Sequence, residues 1–539
     1  MTEHSSRLTR RGFLSGIAAS AAAAILAACG GSSATSTPVA KPTTGAAPTT
    51  GAAATTAPAT GTSAPAGSAA AAATKPAAST TASSTTAPAV TGTTAPSGSA
   101  VAATGPIGTI APPSPDKWKG QSLSMISRQE YFPGTQTAVD TVIQDFAKLT
   151  GAKIENNHVN VDTADFVAKQ DTAVKSGNVQ DIGYAGNVAR LWQLGDIIDV
   201  SDVVAELEKA YGPVESEIKN ALFIDGKWAA VPFYSQAGGW FARKDWLDEK
   251  GIKVESIKTY ENARDIALAI SDPSKNRYGW GLTPNKSGDG RATVLDCIHA
   301  YGGSIASDDG KKVVLDSPET HAAVNFLADL YTNPKYKNML PPDVFAWDDL
   351  GNNKAWLAGT IGITENAYTL YAQSFKDKNP VYPNTAIFPG LLGPGVETVI
   401  NTGGWGALMI FKGAKNPALA KELAKYMAGG KALLTVATPS LGLVLPAYTK
   451  QWDSDPFYTK GDPSFPALRK VIEQPLPIVS KTGFHFPQTP SAGSSAVDEG
   501  YVLTDMMAQI IQEKVKPDDA VKTATQRAIQ LFNQLGIKQ

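Results

Sequence analysis

The chain has 539 residues and a formal net charge of −1, from 48 Lys and Arg against 49 Asp and Glu. The net charge is near zero and no basic patch stands out in the sequence, and both observations argue against a nucleic-acid partner. Composition changes sharply near Trp118, where the globular part begins, and the remaining roughly 420 residues are enough for two large lobes or domains.

The N-terminus has the features of an export signal. Arg10 and Arg11 precede a short alanine-rich apolar run, 17–28, that is too short for an ordinary transmembrane helix. The string TRRGFL resembles a twin-arginine export signal, although Ser15 stands where that pattern often has Lys, so the export route stays open. The string LAAC resembles the bacterial lipobox, in which Cys29 is lipidated after cleavage. We therefore predict a signal peptide over 1–28; the alternative is a chance alanine-rich helix with a stray cysteine.

Residues 29–117 form a low-complexity segment of Ala, Thr, Ser, Gly and Pro. The stretch from Gly30 to Pro115 contains no aromatic residue, so it cannot bury enough apolar surface to offset its ordering entropy. We predict a disordered linker that tethers a globular body to the membrane through the lipid on Cys29; a wall-embedded or glycosylated stalk is the alternative. If Cys29 is lipidated, no intramolecular disulfide is possible, and Cys297 is expected to be a buried core residue.

Strand and helix patterns alternate through the first part of the globular body. Strands are predicted over 121–127, 152–157 and 180–186, and helices over 135–150 and 162–176. This alternation predicts an α/β class with a largely parallel sheet. Ligands bind beyond the carboxyl ends of such strands, so we expect 128–131 and 184–187 to share a rim.

The stretch 222–247 contains a hairpin signal and an unusual strand. Asp225-Gly226 lies between two apolar runs, as in a two-residue hairpin turn. Gly238-Gly239 interrupts the next apolar run, and glycine in a strand marks a bend or a close backbone approach. We interpret 236–239 as a crossing between two lobes, with a plain bulged strand as the alternative. Further on, we predict a helix over 292–300, a strand over 360–364 and C-terminal helices over 496–514 and 518–535.

Several blocks together resemble one known family. They are the segments 181–184, 226–232 with 241–247, 301–303 with 315–319 and 326–330, 355–363, and 403–405 with 416–417 and 426–427. In number and order they resemble the extracellular solute-binding proteins, family 1, which are lipoprotein receptors of ABC importers for sugars and related solutes.

The resemblance implies a fold, a function and partners. The fold would be two α/β lobes of the type II periplasmic-binding-protein kind, joined by crossing strands, within 118–539. The first lobe would hold about 119–236 and 406–445, and the second about 237–405 and 446–539. The protein would be an exported, lipid-anchored monomer that captures a carbohydrate or related polar solute and delivers it to permease subunits. An exported carbohydrate-active enzyme and a ligand sensor of the same fold are the alternatives.

A sugar site needs aromatic faces beside fixed polar partners. Covering ~60 Å² of apolar sugar face contributes about 1.5 kcal/mol, and each hydroxyl hydrogen bond nets about 0.5–1.5 kcal/mol. The residues of these types at predicted strand ends and crossings are Trp405, Tyr234, Gln236, Tyr184, Asn187, Glu365, Asn366, Asp289, Arg128 and Glu130.

Some of these candidates have a structural alternative. Trp405 follows a glycine pair at the second crossing and is our main stacking candidate. Gln236 lies at the first crossing, where related maltose-type receptors carry a carboxylate. Tyr184 could instead end a core strand, and Asp289 could belong to a solvated glycine-rich turn. Trp240, inside an apolar run, is expected to be core.

No catalytic or metal-binding motif accompanies these candidates. The sequence lacks G-x-S-x-G, H-E-x-x-H, C-x-x-C and P-loop patterns, and its five histidines have no metal-ligand spacing. We therefore expect neither an enzyme nor a bound cofactor or metal.

Overall fold

The computed structural model describes residues 109–159, 166–185, 188–388, 390–394, 404–454, 456–460, 478–479, 485–486 and 491–539. The predicted signal peptide, nearly all of the predicted linker, and Asn187 lie outside these residues. Within them, every helix is too short or too polar to cross a membrane.

Strands and helices alternate along the described chain. The strands are β1 Ser122–Arg128, β2 Lys153–Val159, β3 Ile182–Ala185, β4 Phe223–Ile224, β5 Lys227–Trp228, β6 Val231–Gln236, β7 Gly238–Arg243, β8 Tyr278–Trp280, β9 Ile361–Ala367, β10 Thr385–Phe388, β11 Gly404–Ile410, β12 Leu445–Pro446, β13 Ile478–Val479 and β14 His485–Phe486. The helices are α1 Pro133–Thr150, α2 Phe166–Ser176, α3 Val188–Leu194, α4 Ser201–Tyr211, α5 Ser216–Leu222, α6 Lys244–Glu249, α7 Tyr260–Ile270, α8 Gly288–Ala300, α9 Pro318–Thr332, α10 Gly351–Leu357, α11 Thr369–Lys376, α12 Pro417–Met427, α13 Gly430–Ala437, α14 Gln451–Ser454, α15 Pro456–Lys460, α16 Ala492–Glu499, α17 Val502–Ile511 and α18 Pro517–Gln534.

The first sheet has six strands in the order β12-β6-β11-β3-β1-β2. Strand β1 runs parallel to β2 and β3, but β11 runs antiparallel to both β3 and β6, and β12 runs antiparallel to β6. The predicted largely parallel sheet is therefore wrong, and this sheet is mixed. The reason is geometric: β6 leaves the sheet at the edge where β11 returns, so these two strands must run in opposite directions.

The second sheet has four strands in the order β10-β7-β9-β8. Only Ala237 separates β6, in the first sheet, from β7, in the second. The predicted crossing at 236–239 is thus confirmed. The hairpin just before it is confirmed as well: β4 pairs with β5, and Asp225 and Gly226 have φ of 52° and 76°, as a two-residue turn that follows strand twist requires.

Each sheet carries its own hydrophobic core. The first core is built around side chains such as Leu123, Ile182 and Leu408, and the second around Trp240, Trp280 and Ile363. We call the body around the first core the first lobe and the body around the second core the second lobe. The two cores are separate, and a single residue connects the strand of one sheet to the strand of the other. This is the two-lobed α/β architecture that the sequence predicts.

One predicted lobe boundary is wrong. We expected the chain to rejoin the second lobe at 446, yet Ala447, Tyr448, Trp452 and Tyr458 all pack in the first core. The physical reason is that β12 pairs with β6, which keeps the following chain on the first sheet. The other lobe limits stay predictions.

The predicted C-terminal helix 496–514 is two helices, α16 and α17. Tyr501 separates them with φ of 57°, a left-handed conformation that non-glycine residues rarely adopt. The helix predicted over 292–300 begins earlier, at Gly288, because the Ser287 side chain accepts a hydrogen bond from the Gly290 N–H and caps it.

Candidate functional site

A cavity of about 560 Å³ lies between the two lobes, and we call it the central cavity. The first lobe contributes the carboxyl ends of β1, β3 and β6 and the start of β11. Because β6 and β3 both run antiparallel to β11, these four ends meet at one edge of the first sheet. The second lobe contributes α8, the end of β9 and the segment before α10. The cavity is therefore a cleft whose two walls belong to different cores.

The first wall places an arginine among tyrosine rings. The Arg128 Cζ lies 5.3 Å from the ring centroid of Tyr131, 5.4 Å from that of Tyr184 and 5.9 Å from that of Tyr234. Its Nη2 also forms a 3.1 Å ion pair with the buried Glu130 carboxylate. Cation–π contacts and an ion pair together hold the guanidinium in one position. It is thus a fixed hydrogen-bond donor at the wall of the cleft.

Glycines on β11 make room for the polar groups of β6. Gly404 pairs with Gln236 and Gly406 with Tyr234. A Cβ atom at Gly404 would collide with the Gln236 amide, and one at Gly406 would collide with the Tyr234 ring. Trp405, between the two glycines, is partly exposed and lines the cavity. The absence of two Cβ atoms therefore lets both β6 side chains lie across the strand beside Trp405.

The second wall carries two neighbouring carboxylates. Asp289 lies in the first turn of α8, and its N–H donates to the Asp349 Oδ1 at 3.0 Å. Burial, followed by the nearby Asp349 charge, raises the pKa of Asp289 to about 7. The Asp289 Oδ2 is buried and accepts no hydrogen bond from the described residues. The Asn352 side chain also forms a hydrogen bond with this carboxyl, which lowers its pKa and partly offsets the two raising causes.

The end of α16 adds a pair of acidic residues that lie far away in sequence. Asp498 forms a 3.0 Å ion pair with Arg291 on α8. Glu499 forms a 3.5 Å ion pair with Arg190 on α3. Since α3 packs in the first core while Val497 on α16 packs in the second, the Arg190–Glu499 pair joins the two lobes. Burial raises the pKa of Glu499 to about 7, and it also raises the pKa of Asp498.

Two further cavities adjoin the central one. The inner cavity, of about 260 Å³, lies beside the crossing and shares Gln236, Asp289 and Asn366 with the central cavity. The outer cavity, of about 530 Å³, lies at the other end and shares Tyr131, Gly288 and Asp349 with it. The shared walls make the three cavities neighbours along one cleft.

Comparison with known proteins identifies the family. The profile of the bacterial extracellular solute-binding proteins matches residues 130–432, more than half of the chain. The chain belongs to the bacterial extracellular solute-binding protein family. Membership implies an exported protein, and the members of this family are solute-binding proteins. A search of curated proteins found no match to this solute-binding protein.

Solved structures share the fold of this solute-binding protein at low identity. Maltose-bound T. maritima MalE3 has a TM-score of 0.63 at 19% identity, covering 76% of this chain and 99% of that chain. A solute-binding protein from Agrobacterium radiobacter in complex with ribitol has a TM-score of 0.62 at 19% identity, covering 77% and 100%. A sugar transporter protein from Arthrobacter chlorophenolicus with bound laminaribiose has a TM-score of 0.61 at 14% identity, covering 76% and 99%. These likenesses show the two-lobed periplasmic-binding fold.

Most candidates predicted from the sequence lie along the cleft of this solute-binding protein. Those that line the central cavity are Arg128, Tyr184, Tyr234, Gln236, Asp289, Asn366 and Trp405. Glu365 lines the inner cavity and Glu130 the outer one. Tyr184 is both a buried core side chain and a wall residue, so the two readings of it are compatible. Trp240 is core, as expected.

Sequence reasoning missed part of both walls. The cavity-lining residues that it did not select include Tyr131, Phe132, Asp349, Asn353, Ser495, Asp498 and Glu499. Asp349 belongs to an acidic pair after Trp347 that is a weaker sequence candidate, because an exposed helix start explains the pair as well. No local pattern marks Asp498 or Glu499, since their position in the cleft depends on where α16 packs. In the described part of the chain, no group of three or more His, Cys, Asp or Glu side chains is arranged to hold a metal ion.

Proposed function

We propose that this protein is the sugar-binding receptor of an ABC importer, which captures a sugar or related polyol between its lobes and delivers it to a permease. The observation that carries this proposal is the composition of the central cavity. A partly exposed tryptophan lies beside a fixed arginine, buried tyrosines, amides and carboxylates, the combination that sugar faces and hydroxyls require. Relatives of the same fold whose structures hold maltose, ribitol and laminaribiose support it.

The two walls would have different roles. On the first wall, Trp405 would stack on a sugar face while Arg128 and Gln236 bond its hydroxyls. On the second wall, Asp289 and Asn366 would accept and donate further hydrogen bonds. A hydroxyl that satisfies the otherwise unpaired Asp289 Oδ2 offsets the cost of burying that oxygen, which is about 1–3 kcal/mol. An analogue lacking this hydroxyl would therefore bind more weakly.

Capture would proceed by closure of the lobes. The chain passes between sheets at Ala237, and β11 begins the return at Gly404 beside it, so the lobes can rotate about these neighbouring segments. A solute that touches both walls does so only when they approach, and its binding energy therefore favours the closed form. The closed form would dock on the permease, and the solute would pass through without chemical change.

The N-terminus would attach this receptor to the cell surface. The twin-arginine string, the apolar run 17–28 and the LAAC sequence support export and lipidation at Cys29. Residues 29–117 would then act as the tether between membrane and lobes, and the receptor would act as a monomer. Incorporation of a labelled fatty acid into the wild-type chain but not into Cys29→Ser would test the anchor.

Binding of sugars by the purified chain tests the receptor function. We would measure thermal unfolding with neutral sugars and polyols, because a ligand at 100 times its Kd raises the free energy of unfolding by about 2.7 kcal/mol. Trp405→Ala should weaken the affinity for a binding sugar at least fivefold, through loss of about 1–1.5 kcal/mol of stacking.

Trp192→Ala is the matched control, since Trp192 is also partly buried but lies outside the cavity walls. Equal affinity in wild type and Trp405→Ala would refute the assigned role of Trp405. Absence of any stabilising sugar or polyol would refute the sugar-receptor proposal.

A further inference from the structure

The cleft is longer than its central cavity. The inner cavity extends it toward Gly238 at the crossing, and the outer cavity extends it past Asp349 to Tyr501. The central volume of about 560 Å³ alone falls within the usual range of about 300–1,000 Å³ for small-ligand sites. A solute that also occupied the outer cavity, of about 530 Å³, would have to be extended.

Tyr501 is held at the outer cavity in an unusual backbone conformation. Its φ of 57° is left-handed, and its N–H donates to the Asp498 carbonyl at 2.9 Å. The Lys286 Nζ and the Arg291 Cζ lie 5.4 Å and 5.3 Å from its ring centroid. Non-glycine residues in this region concentrate at functional sites, where surrounding contacts maintain them. The conformation fixes a partly exposed aromatic ring at the mouth of the cleft.

Tyr131 lies between the central and outer cavities and lines both of them. Tyr131 is 42% exposed, and its ring faces the fixed Arg128 guanidinium at 5.3 Å. Together with Trp405, the two tyrosines put one accessible aromatic residue at the centre of the cleft, one at the junction and one at the mouth.

We infer that the solute is an oligosaccharide, with Trp405 binding one sugar unit and Tyr131 and Tyr501 binding successive units toward the mouth. This inference rests on the proposed sugar-receptor function. Successive rings of a sugar chain each present an apolar face, so spaced aromatic residues recognise the chain length. A receptor for single sugars would leave Tyr501, which lines only the outer cavity, without effect on affinity.

The test is the dependence of affinity on chain length in the purified full chain. Titration calorimetry would use mono- to hexasaccharide ladders of α-1,4-glucan, β-1,4-glucan, β-1,3-glucan and β-1,4-xylan. In the ladder that binds, we expect affinity to rise at least tenfold from the shortest binding member to the tetrasaccharide, about 1.4 kcal/mol. Affinity that stays constant with length would overturn the inference while leaving the receptor function intact. Failure of every ladder together with every single sugar would refute the receptor function itself.

Substitution of Tyr501 and Tyr131 tests whether these two rings cause the dependence of affinity on chain length. Tyr501→Gly removes the ring, and glycine adopts the left-handed backbone of this position without steric cost, so the variant should keep the fold. It should weaken tetrasaccharide binding about tenfold and change monosaccharide or disaccharide binding less than twofold. Tyr131→Ala should also weaken the longer sugars more than the shorter ones. Phe223→Ala, which removes a 40% exposed aromatic ring outside the cavities, is the control. Equal loss at every length, or no loss, would contradict the assignment of Tyr501.

Discussion

Replacement of Asp289 by asparagine should stabilise the protein, and more so as pH rises. The pKa of this carboxyl is raised from 3.8 to about 7 by burial and by Asp349. An unfolded carboxyl titrates near 3.9, so between about pH 4 and 7 the native state binds more protons than the unfolded state. The free energy of unfolding of the wild type therefore decreases as pH rises through this window, and the full cost is present above pH 7. The asparagine side chain carries no charge, so the substitution would remove this pH-dependent cost.

The expected gain in stability follows from the size of the Asp289 pKa shift. Roughly three pH units at ~1.36 kcal/mol each set an upper bound of about 4 kcal/mol. Solvent in the cleft screens the charge, and loss of a negative charge in the first turn of α8 removes about 0.3–1 kcal/mol of favourable helix-dipole interaction. We expect Asp289→Asn to gain about 1–2 kcal/mol at pH 8 and close to nothing at pH 4.5, while sugar affinity falls.

Urea unfolding of both proteins at several pH values from 4.5 to 8 measures this difference. Asp343→Asn serves as the matched control, because Asp343 is exposed and lines none of the three cavities. A stability gain that is the same at pH 4.5 and pH 8 would show that charge burial at Asp289 is not its cause, and a loss at pH 8 would refute the reasoning.

Two other substitutions probe the lobe contact and the cavity wall. Glu499→Gln should weaken the Arg190–Glu499 pair that joins the lobes and so shift the unliganded protein toward open forms, which small-angle X-ray scattering would detect. Sugar affinity should fall two- to fivefold, about 0.4–1 kcal/mol. An unchanged scattering profile together with unchanged affinity would contradict this role of the pair. Gly406→Ala should cost about 1–3 kcal/mol of stability and displace the Tyr234 ring, with loss of sugar binding. Gly239→Ala is the control and should be tolerated, because its Cβ would lie 3.7 Å from Ile387. Equal melting temperatures of the two variants would show that the Tyr234 ring moves aside without cost.

Several structural features could be predicted from local sequence patterns. The Asp225-Gly226 hairpin, the crossing before Gly238 and the alternation of strands and helices each depend on a few neighbouring residues, whose backbone preferences act over short distances. The placement of Arg128 and Tyr184 at one rim also followed, because the carboxyl ends of adjacent parallel strands lie at the same edge of a sheet.

Strand directions and the limits of helices were harder to predict from the sequence. The mixed sheet arises because β6 and β11 connect through another lobe, and no periodicity in either strand encodes that route. The break between α16 and α17 was missed although Gly500, which ends α16, is a local helix breaker; the left-handed residue itself is Tyr501, which carries no turn signal and contacts Lys286 and Arg291. Tertiary packing overrode local propensity at this point.

What the sequence by itself determined is therefore the family, the secondary-structure alternation, the first crossing and seven of the residues that line the central cavity, since these depend on nearby residues or on a resemblance spread along the chain. Only the tertiary structure decided that Asp498 and Glu499 face Arg291 and Arg190, that the chain after Leu445 stays in the first core, and that Tyr131 and Tyr501 border one outer cavity. These contacts join residues separated by hundreds of positions, and their formation depends on how two independently packed cores meet.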